Sequence, residues 1–258
     1  MALTAVDYHV LESLRKAGLL PARPSVLELG ESEWYGDIPP QDLAGLIDRV
    51  ATEPERRQAL HARLRDILAG KSPHRSWDLA KLFYTAILDY REIVAIDFHG
   101  TPAAKRIDLN EPLDLGQRFE LVIDGGTAEH VFNVFQFFKT CHELTQPRGL
   151  MLHNNPFRGW LEHGFYNFNP TFYWDLAAAN GYEIVMLVYN ETDPLRVVQL
   201  MTREKIVEMA RGGELGANAM LYAVYRKPAS DSPFAAPAQA HYIGALSEKM
   251  TQAWYELR

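Results

Sequence analysis

Residues 124–130 contain the side chains of this sequence that are best suited to chemistry. An acid, two glycines and a hydroxyl (residues 124–127) follow an apolar run that begins at Phe119, and Glu129 and His130 come next. The apolar run predicts a buried strand, and a helix is expected to open at Ala128. Glycines let a ligand approach the backbone, while the polar groups supply charge, hydrogen bonds and a proton acceptor. The segment is therefore predicted to line a small-molecule site at the end of a strand.

Two further histidines are expected near the same edge. His153 follows the apolar residues 149–152, so we predict that it ends a strand, and His163 lies with Tyr166 in a loop that is rich in aromatic residues. An imidazole is the natural base near neutral pH. We therefore predict that His130, His153 or His163 removes a proton and that Tyr166 orients the substrate. No short spacing such as His-x-x-x-His connects the histidines, so no metal site is predicted.

The elements that would position these residues alternate along the chain. Apolar strand-like runs are separated by segments of helical periodicity, which predicts an α/β fold with a mostly parallel sheet and helices on both faces. The last two strands lack a full helical crossover between them, which indicates an antiparallel strand at one sheet edge. The predicted strands cover residues 25–30, 92–97, 105–109, 119–123, 149–153, 182–189 and 219–226.

The predicted domain organisation is simple. We expect one α/β domain over residues 1–240, which carries a helical insertion at about 35–90 and a second insertion at about 190–218. A C-terminal helix is predicted over residues 241–258, after a stretch rich in proline, alanine and serine.

Composition excludes several classes of function. A net charge of −7 argues against binding nucleic acid, and the sequence contains no apolar run long enough for a membrane span. The first residues lack the basic-then-apolar layout of a signal peptide. The one cysteine, Cys141, excludes an internal disulfide and fits a reducing compartment, so we expect a cytoplasmic protein. The formation of a homo-oligomer is left open, with the two insertions as possible interfaces.

The order of these segments resembles the class I S-adenosylmethionine-dependent methyltransferases. The resemblance covers roughly residues 24–227 and implies a Rossmann-like sheet of seven strands. The first family motif is similar to residues 26–30, Val-Leu-Glu-Leu-Gly, and the next to Ala-Ile-Asp at 95–97. Residues 160–182 resemble a bacterial branch of the family. The other similar segments are Arg-Ile-Asp-Leu at 106–109, the strand and helix opening at 119–131, and the proline-and-glycine approach at 144–152.

The resemblance implies that the cofactor is S-adenosylmethionine. In the family, the acid that corresponds to Asp97 bonds the ribose hydroxyls, and the acid that corresponds to Asp108 meets the adenine amino group. The implied function is methyl transfer to an oxygen or nitrogen of a small-molecule acceptor, such as a sugar or a secondary metabolite. The implied cofactor-binding residues are Glu28, Gly30, Asp97, Phe98, Asp108, Leu109, Asp124, Gly125 and Gly126.

Two departures from the family pattern leave an alternative open. Gly30 is followed by Glu-Ser-Glu-Trp at 31–34 where the family has further glycines, and about 60 residues separate the first two strands, where one crossover helix would suffice. An inactive binding or scaffold protein with the same fold is therefore the second hypothesis. A dehydrogenase is a third, but the sequence lacks Gly-x-Gly-x-x-Gly after its first strand.

Overall fold

The computed structural model describes residues 1–257, which form two compact units. The first unit contains Met1–Asp108 and Phe119–Thr127, and the second contains Leu109–Arg118 and residues 128–257. Both units contain residues of the domain that was predicted over residues 1–240. The end of that domain at residue 240 stays a prediction. No helix of the described part is long and apolar enough to cross a membrane.

The first unit contains a parallel ladder in which the central strand is buried along its whole length. The elements of the first unit are β1 (Ala2–Leu3), α1 (Ala5–Lys16), β2 (Ser25–Leu29), β3 (Glu33–Trp34), α2 (Asp42–Val50), α3 (Pro54–Leu68), α4 (Arg75–Leu88), β4 (Glu92–Ile96) and β5 (Phe119–Asp124). β2 lies between β4 and β5 and is parallel to both. A near-continuous apolar run is typical of such a strand. α2, α3 and α4 contact one another and lie within the predicted insertion at 35–90.

The strand predicted over residues 105–109 is reduced to a single bridge. Lys105 pairs with Ile96 in parallel, and its amide donates to the Ala95 carbonyl at 2.8 Å. The following Arg106 side chain turns back and donates to the Gly100 carbonyl at 2.7 Å. The chain is thereby held against the loop after β4, so the ladder does not continue and this prediction is wrong.

The second unit contains an antiparallel ladder. Its elements are α5 (Val134–Leu144), β6 (Thr145–Arg158), α6 (Pro170–Asn180), β7 (Glu183–Thr192), β8 (Leu195–Gln199), α7 (Arg203–Arg211), β9 (Ala219–Arg226) and α8 (Glu248–Glu256). β9 lies between β6 and β7 and is antiparallel to both, so β6 and β7 run in the same direction. β8 was not predicted and pairs antiparallel with β7. With it, the two ladders of the described residues contain seven strands, which is the predicted number.

Two predicted boundaries in the second unit need correction. The predicted helix opening is one 3₁₀ turn at Ala128–His130, and α5 begins at Val134, because the Asn133 side chain accepts from the Gln136 amide at 3.3 Å. β6 continues to Arg158, because residues 154–156 pair with β9, so His153 lies inside the strand and does not end it.

The predicted C-terminal helix is also shorter than expected. α8 begins after Ser247, whose hydroxyl accepts from the Met250 amide at 3.3 Å and caps the helix. Arg258, the last residue of the predicted helix, lies outside the described residues.

Candidate functional site

Gly30 ends β2 in a conformation and a space that only glycine fits. Its φ is +90°, and its amide donates to the Ile96 carbonyl of β4 at 2.7 Å. A Cβ at this position would collide with the Thr127 hydroxyl and would lie 3.2 Å from the Met1 Cβ. The backbone of Gly30 therefore forms one wall of a narrow groove, whose other wall is the segment after β5. We call Gly30, Gly125 and Thr127 the glycine groove.

The glycine groove holds a methionine side chain. The Met1 thioether Sδ lies 2.6 Å from the Gly125 amide nitrogen and 3.5 Å from the Thr127 hydroxyl. The α-amino nitrogen of Met1 lies 3.3 Å from the Glu31 carbonyl oxygen. Backbone groups of the two strand-end loops thus offer a donor to a methionine sulfur and an acceptor to a methionine amino group.

Asp97 follows β4 and ties the neighbouring loops together. One carboxylate oxygen accepts from the Glu31 amide at 2.8 Å, and the other accepts from the His99 and Gly100 amides at 2.6 and 2.9 Å. A carboxylate has about four lone-pair positions, so these three bonds leave acceptor capacity unused. Because Asp97 is partly exposed, that capacity is accessible to a ligand hydroxyl, and the adjacent Phe98 ring is 57% exposed.

Glu28 of β2 and Glu31 of the loop after it are interior groups. Glu28 is fully buried and forms an ion pair with Lys81 of α4, and it also accepts from the Ser32 amide at 3.1 Å. The Glu31 carboxylate is buried too and accepts from the Thr101 amide and hydroxyl at 2.5 and 3.1 Å. Lys81 also lies 3.8 Å from the Glu31 carboxylate. Glu28 therefore supports the loop from inside, and its predicted role in direct cofactor binding stays a prediction.

The other predicted cofactor residues take different positions. Asp124 is buried, and its carboxylate accepts from the Thr127 amide at 2.9 Å, which fixes the turn after β5. Gly126 lies within that turn with a φ of +103°. Asp108 is exposed in the first unit, whereas Leu109 is buried and belongs to the second unit.

A buried glutamate is the centre of the second group of polar residues. Glu129 lies in the 3₁₀ turn and is 1% exposed. Its Oε2 accepts from the Asn155 side-chain amide at 3.3 Å, and the Asn155 oxygen accepts from the Tyr173 hydroxyl at 2.7 Å. The chain of hydrogen bonds orients the carboxylate, which leaves Oε1 facing the other side.

Two histidines approach that second oxygen. The Nε2 atoms of His130 and His163 lie 3.9 and 3.7 Å from Glu129 Oε1, and the two ring centroids are 4.9 Å apart. Both imidazoles are partly exposed, while the carboxylate between them is buried. We call Glu129, His130 and His163 the Glu129 cluster. Its three donor atoms lie within 4.8 Å of one another, so it is the part of this unit that could hold a metal ion.

The backbone of the loop before α6 holds His163 in place. The Glu129 carbonyl accepts from the Phe165 amide at 2.7 Å and from the Tyr166 amide at 3.3 Å. A Cβ on Gly164 would lie 2.9 Å from that carbonyl, so the close approach requires glycine. Trp160 and Glu162 both have positive φ, at +54° and +58°, a conformation that costs free energy for such residues and is often found at ligand-binding segments.

Tyr166 and His153 are the other two predicted catalytic residues. The Tyr166 hydroxyl donates to the Phe132 carbonyl at 2.8 Å, beside the exposed and mutually contacting rings of Phe132 and Phe165. His153 is 1% exposed and packs against the rings of Phe138 and Tyr225, at centroid distances of 5.1 and 5.9 Å. The catalytic role of His153 stays a prediction.

Sequence reasoning named His130 and His163 but missed the groups that support them. Glu129 stood beside His130 in the recognised segment, but nothing local indicated that it would be buried. Lys81 lies on a helix among apolar neighbours, where a buried charge signals a buried partner. Neither Asn155 nor its partner Tyr173 was among the predicted site residues.

No protein-family model matches the chain, and no curated protein matches it. Among solved structures, a putative methyltransferase from Bacillus halodurans is 12% identical, covering 84% of this chain and 98% of its own, with a TM-score of 0.44. The N-methyltransferase NodS from Bradyrhizobium japonicum is 13% identical, covering 86% and 95%, with a TM-score of 0.40.

A third solved structure is the 1,6-didemethyltoxoflavin-N1-methyltransferase from Burkholderia thailandensis, which contains bound S-adenosylhomocysteine. It is 13% identical, covering 86% of this chain and 78% of its own, with a TM-score of 0.36. All three are named as methyltransferases, the class that the sequence resembles. These likenesses are remote, so the function has to be argued from the residues of the chain itself.

Proposed function

We propose that the chain is an S-adenosylmethionine-dependent methyltransferase that acts on an oxygen or nitrogen of a small-molecule acceptor. The glycine groove carries this proposal, because it accommodates a methionine side chain with the thioether sulfur 2.6 Å from the Gly125 amide nitrogen. The demethylated cofactor, S-adenosylhomocysteine, has a thioether sulfur and an amino group like those of methionine, so both match the groups that this groove already contacts.

The first unit would hold the cofactor. Gly30 and Gly125 would line its methionine part, and the unused acceptor capacity of Asp97 would take a ribose hydroxyl. When bound, the cofactor supplies an electrophilic methyl group on a sulfonium sulfur. The remaining predicted contacts stay part of the proposal: Phe98, Asp108, Leu109, Asp124 and Gly126.

The acid-rich first loop fits this proposal. Glu31 would repel the cofactor carboxylate if its own carboxylate lined the groove, but it is buried against Thr101 and Lys81. Trp34 is also buried, and its indole nitrogen donates to the Ile38 carbonyl at 2.9 Å. These residues build the wall of the loop from inside, and the Glu31 carbonyl is a backbone group that is left to contact a ligand there.

The second unit would bind the acceptor. His130 and His163 present partly exposed imidazoles, and the exposed rings of Phe132 and Phe165 offer apolar surface of the kind that lines small-molecule sites. An oxygen or nitrogen acceptor usually loses a proton during methyl transfer, and an imidazole beside a carboxylate is suited to take it. The net charge of −7 favours a small acceptor over a nucleic acid, and the lone cysteine favours work in the cytoplasm.

Calorimetric titration with S-adenosylhomocysteine tests the cofactor site. We expect binding by the wild-type chain and a loss of about 100-fold or more in Gly30→Ala, because a displaced groove wall and a strained φ together cost on the order of 3 kcal/mol. Gly18→Ala is the matched control, since Gly18 also has positive φ (+67°) but no heavy atom lies within 4 Å of its Cβ position. We expect that control to bind like the wild type.

Asp97→Ala adds a second test of the same site. It should weaken binding, while circular dichroism and thermal melting check that the loops it anchors still fold. Absence of binding at millimolar ligand in a folded wild-type protein would contradict the proposal. Binding without methyl transfer to any compound of a broad acceptor panel would instead support the alternative of a non-catalytic binding protein.

A further inference from the structure

The buried carboxylate of Glu129 lies beside two imidazoles. It is 1% exposed, and buried charges in proteins are paired or coordinate metals. The Nε2 atoms of His130 and His163 lie 3.9 and 3.7 Å from its Oε1. One carboxylate oxygen and two imidazole nitrogens, which are all common metal ligands, therefore lie close together.

The spacing of the three donor atoms suits a shared cation. Zinc binds histidine nitrogen and carboxylate oxygen at about 2.0–2.2 Å, which places neighbouring ligand atoms of a tetrahedral site about 3.4 Å apart. The two histidine nitrogens lie 3.9 and 3.7 Å from Glu129 Oε1, and all three donor atoms lie within 4.8 Å of one another. Small rotations of the two exposed imidazoles would close the remaining difference.

The supporting groups are those that a metal site needs. Metal-binding side chains are commonly held by hydrogen bonds from a second layer of residues. Here Asn155 holds the far oxygen of Glu129, and Tyr173 holds Asn155. The Glu129 carbonyl accepts from the amides of Phe165 and Tyr166, which fixes the segment that carries His163. The ligands thus come from two separate segments that are locked to each other.

We propose that Glu129, His130 and His163 bind one divalent transition-metal ion of the zinc type. Two imidazoles and a carboxylate favour zinc or cobalt over magnesium, which prefers oxygen ligands and retains its water. Three protein ligands leave at least one coordination position open, as in catalytic zinc sites. Because both imidazoles are partly exposed, that position faces solvent, where an oxygen or nitrogen of a small molecule could enter.

The consequence for methyl transfer rests on the proposed function, whereas cation binding does not. An imidazole nitrogen that binds the cation has no lone pair left to take a proton. In the metal-bound protein the acceptor hydroxyl would bind the cation, which lowers its pKa, and its proton would pass to solvent. The role predicted for the histidines then changes from base to ligand.

Titration with metal alone tests this proposal without cofactor or acceptor. Protein free of any histidine tag is treated with a chelator, dialysed, and titrated with Zn²⁺ by calorimetry and with Co²⁺ by visible absorption. We expect one ion per chain and the d–d bands of a low-symmetry Co²⁺ site. His130→Ala, His163→Ala and Glu129→Gln should each weaken binding by more than tenfold.

Two further variants make the test specific. His9→Ala removes an exposed histidine of α1 and should bind metal like the wild type. Tyr173→Phe removes only the hydroxyl that holds Asn155 and should weaken binding by about 10–100-fold while the protein stays folded. No stoichiometric binding, or binding that the three ligand variants leave within a factor of ten, would overturn the proposal. Either result would leave the cofactor titration and the methyltransferase proposal standing on their own.

Discussion

The glycine groove and the Glu129 cluster are built by different means. The groove is made of backbone atoms at the ends of β2 and β5. It can form because Gly30 and Gly125 have no side chains. The cluster is made of side chains from two separate segments, held by the buried pair Asn155 and Tyr173. A backbone groove suits a ligand common to many proteins, whereas a side-chain cluster can be changed residue by residue to suit a particular acceptor.

The largest expected effect separates the two regions by function. The double variant His130→Ala with His163→Ala should lower methyl transfer by about 10²–10⁴-fold, the range for loss of a group that handles a proton. Its affinity for S-adenosylhomocysteine should stay within about twofold of the wild type. Transfer of label from the cofactor to an acceptor found by screening measures the first quantity, and calorimetry measures the second. Unchanged turnover would show that the cluster does not take part in the reaction.

The next effect concerns the charges beneath the groove. Lys81→Met leaves the fully buried Glu28 without its lysine, and breaking a buried pair in this way lowers the free energy of unfolding by about 3–5 kcal/mol. Lys16→Met is the matched control, because Lys16 is 68% exposed and its pair with Glu12 should change stability by less than about 1 kcal/mol. Urea denaturation measures both, and equal effects would refute the internal role of the Glu28 pair.

The compensating variant sharpens this prediction. Glu28→Gln in the Lys81→Met background removes one of the two buried carboxylates that lose their lysine, the other being Glu31, so part of the lost stability should return. If the double variant is no more stable than Lys81→Met, then the unpaired Glu28 carboxylate does not explain the effect.

The smallest effect appears on acidification and comes from the second unit. Burial lowers the pKa of His142, and the positive charge of Lys227 acts in the same direction, against the opposing Ser232 carbonyl. The folded chain therefore keeps this imidazole neutral, whereas the unfolded chain protonates it below about pH 6.5. This contribution to stability is present above the unfolded pKa and is lost as the pH falls through it.

The difference between wild type and His142→Gln isolates that contribution. Denaturation between about pH 5 and 7.5 should show a shallower pH slope in the variant, because it lacks the difference in His142 protonation between the folded and unfolded chains. Parallel slopes would mean that His142 does not titrate differently in the folded and unfolded chains.

Local patterns predicted much of the fold and of the groove. Apolar runs correctly located β2, β4, β5 and β9, because these strands have continuous apolar runs. Lys105 did not start a full strand, since the Arg106 side chain turns back to the loop after β4. β8 was missed because it is short and none of its five residues is buried, so its sequence lacks the apolar run that is typical of a buried strand.

The sequence by itself determined which backbone turns could receive a ligand. Glycines directly after apolar strands indicate such turns, because the strand, the turn and the missing Cβ are all local properties. Tertiary structure decided which side chains meet. Glu129 could be paired with His163, and Glu28 with Lys81, only once the packing of distant segments had excluded water from the carboxylates. How strongly a charged group interacts, and with which partner, depends on the exclusion of water, and no local sequence pattern indicates where water is excluded.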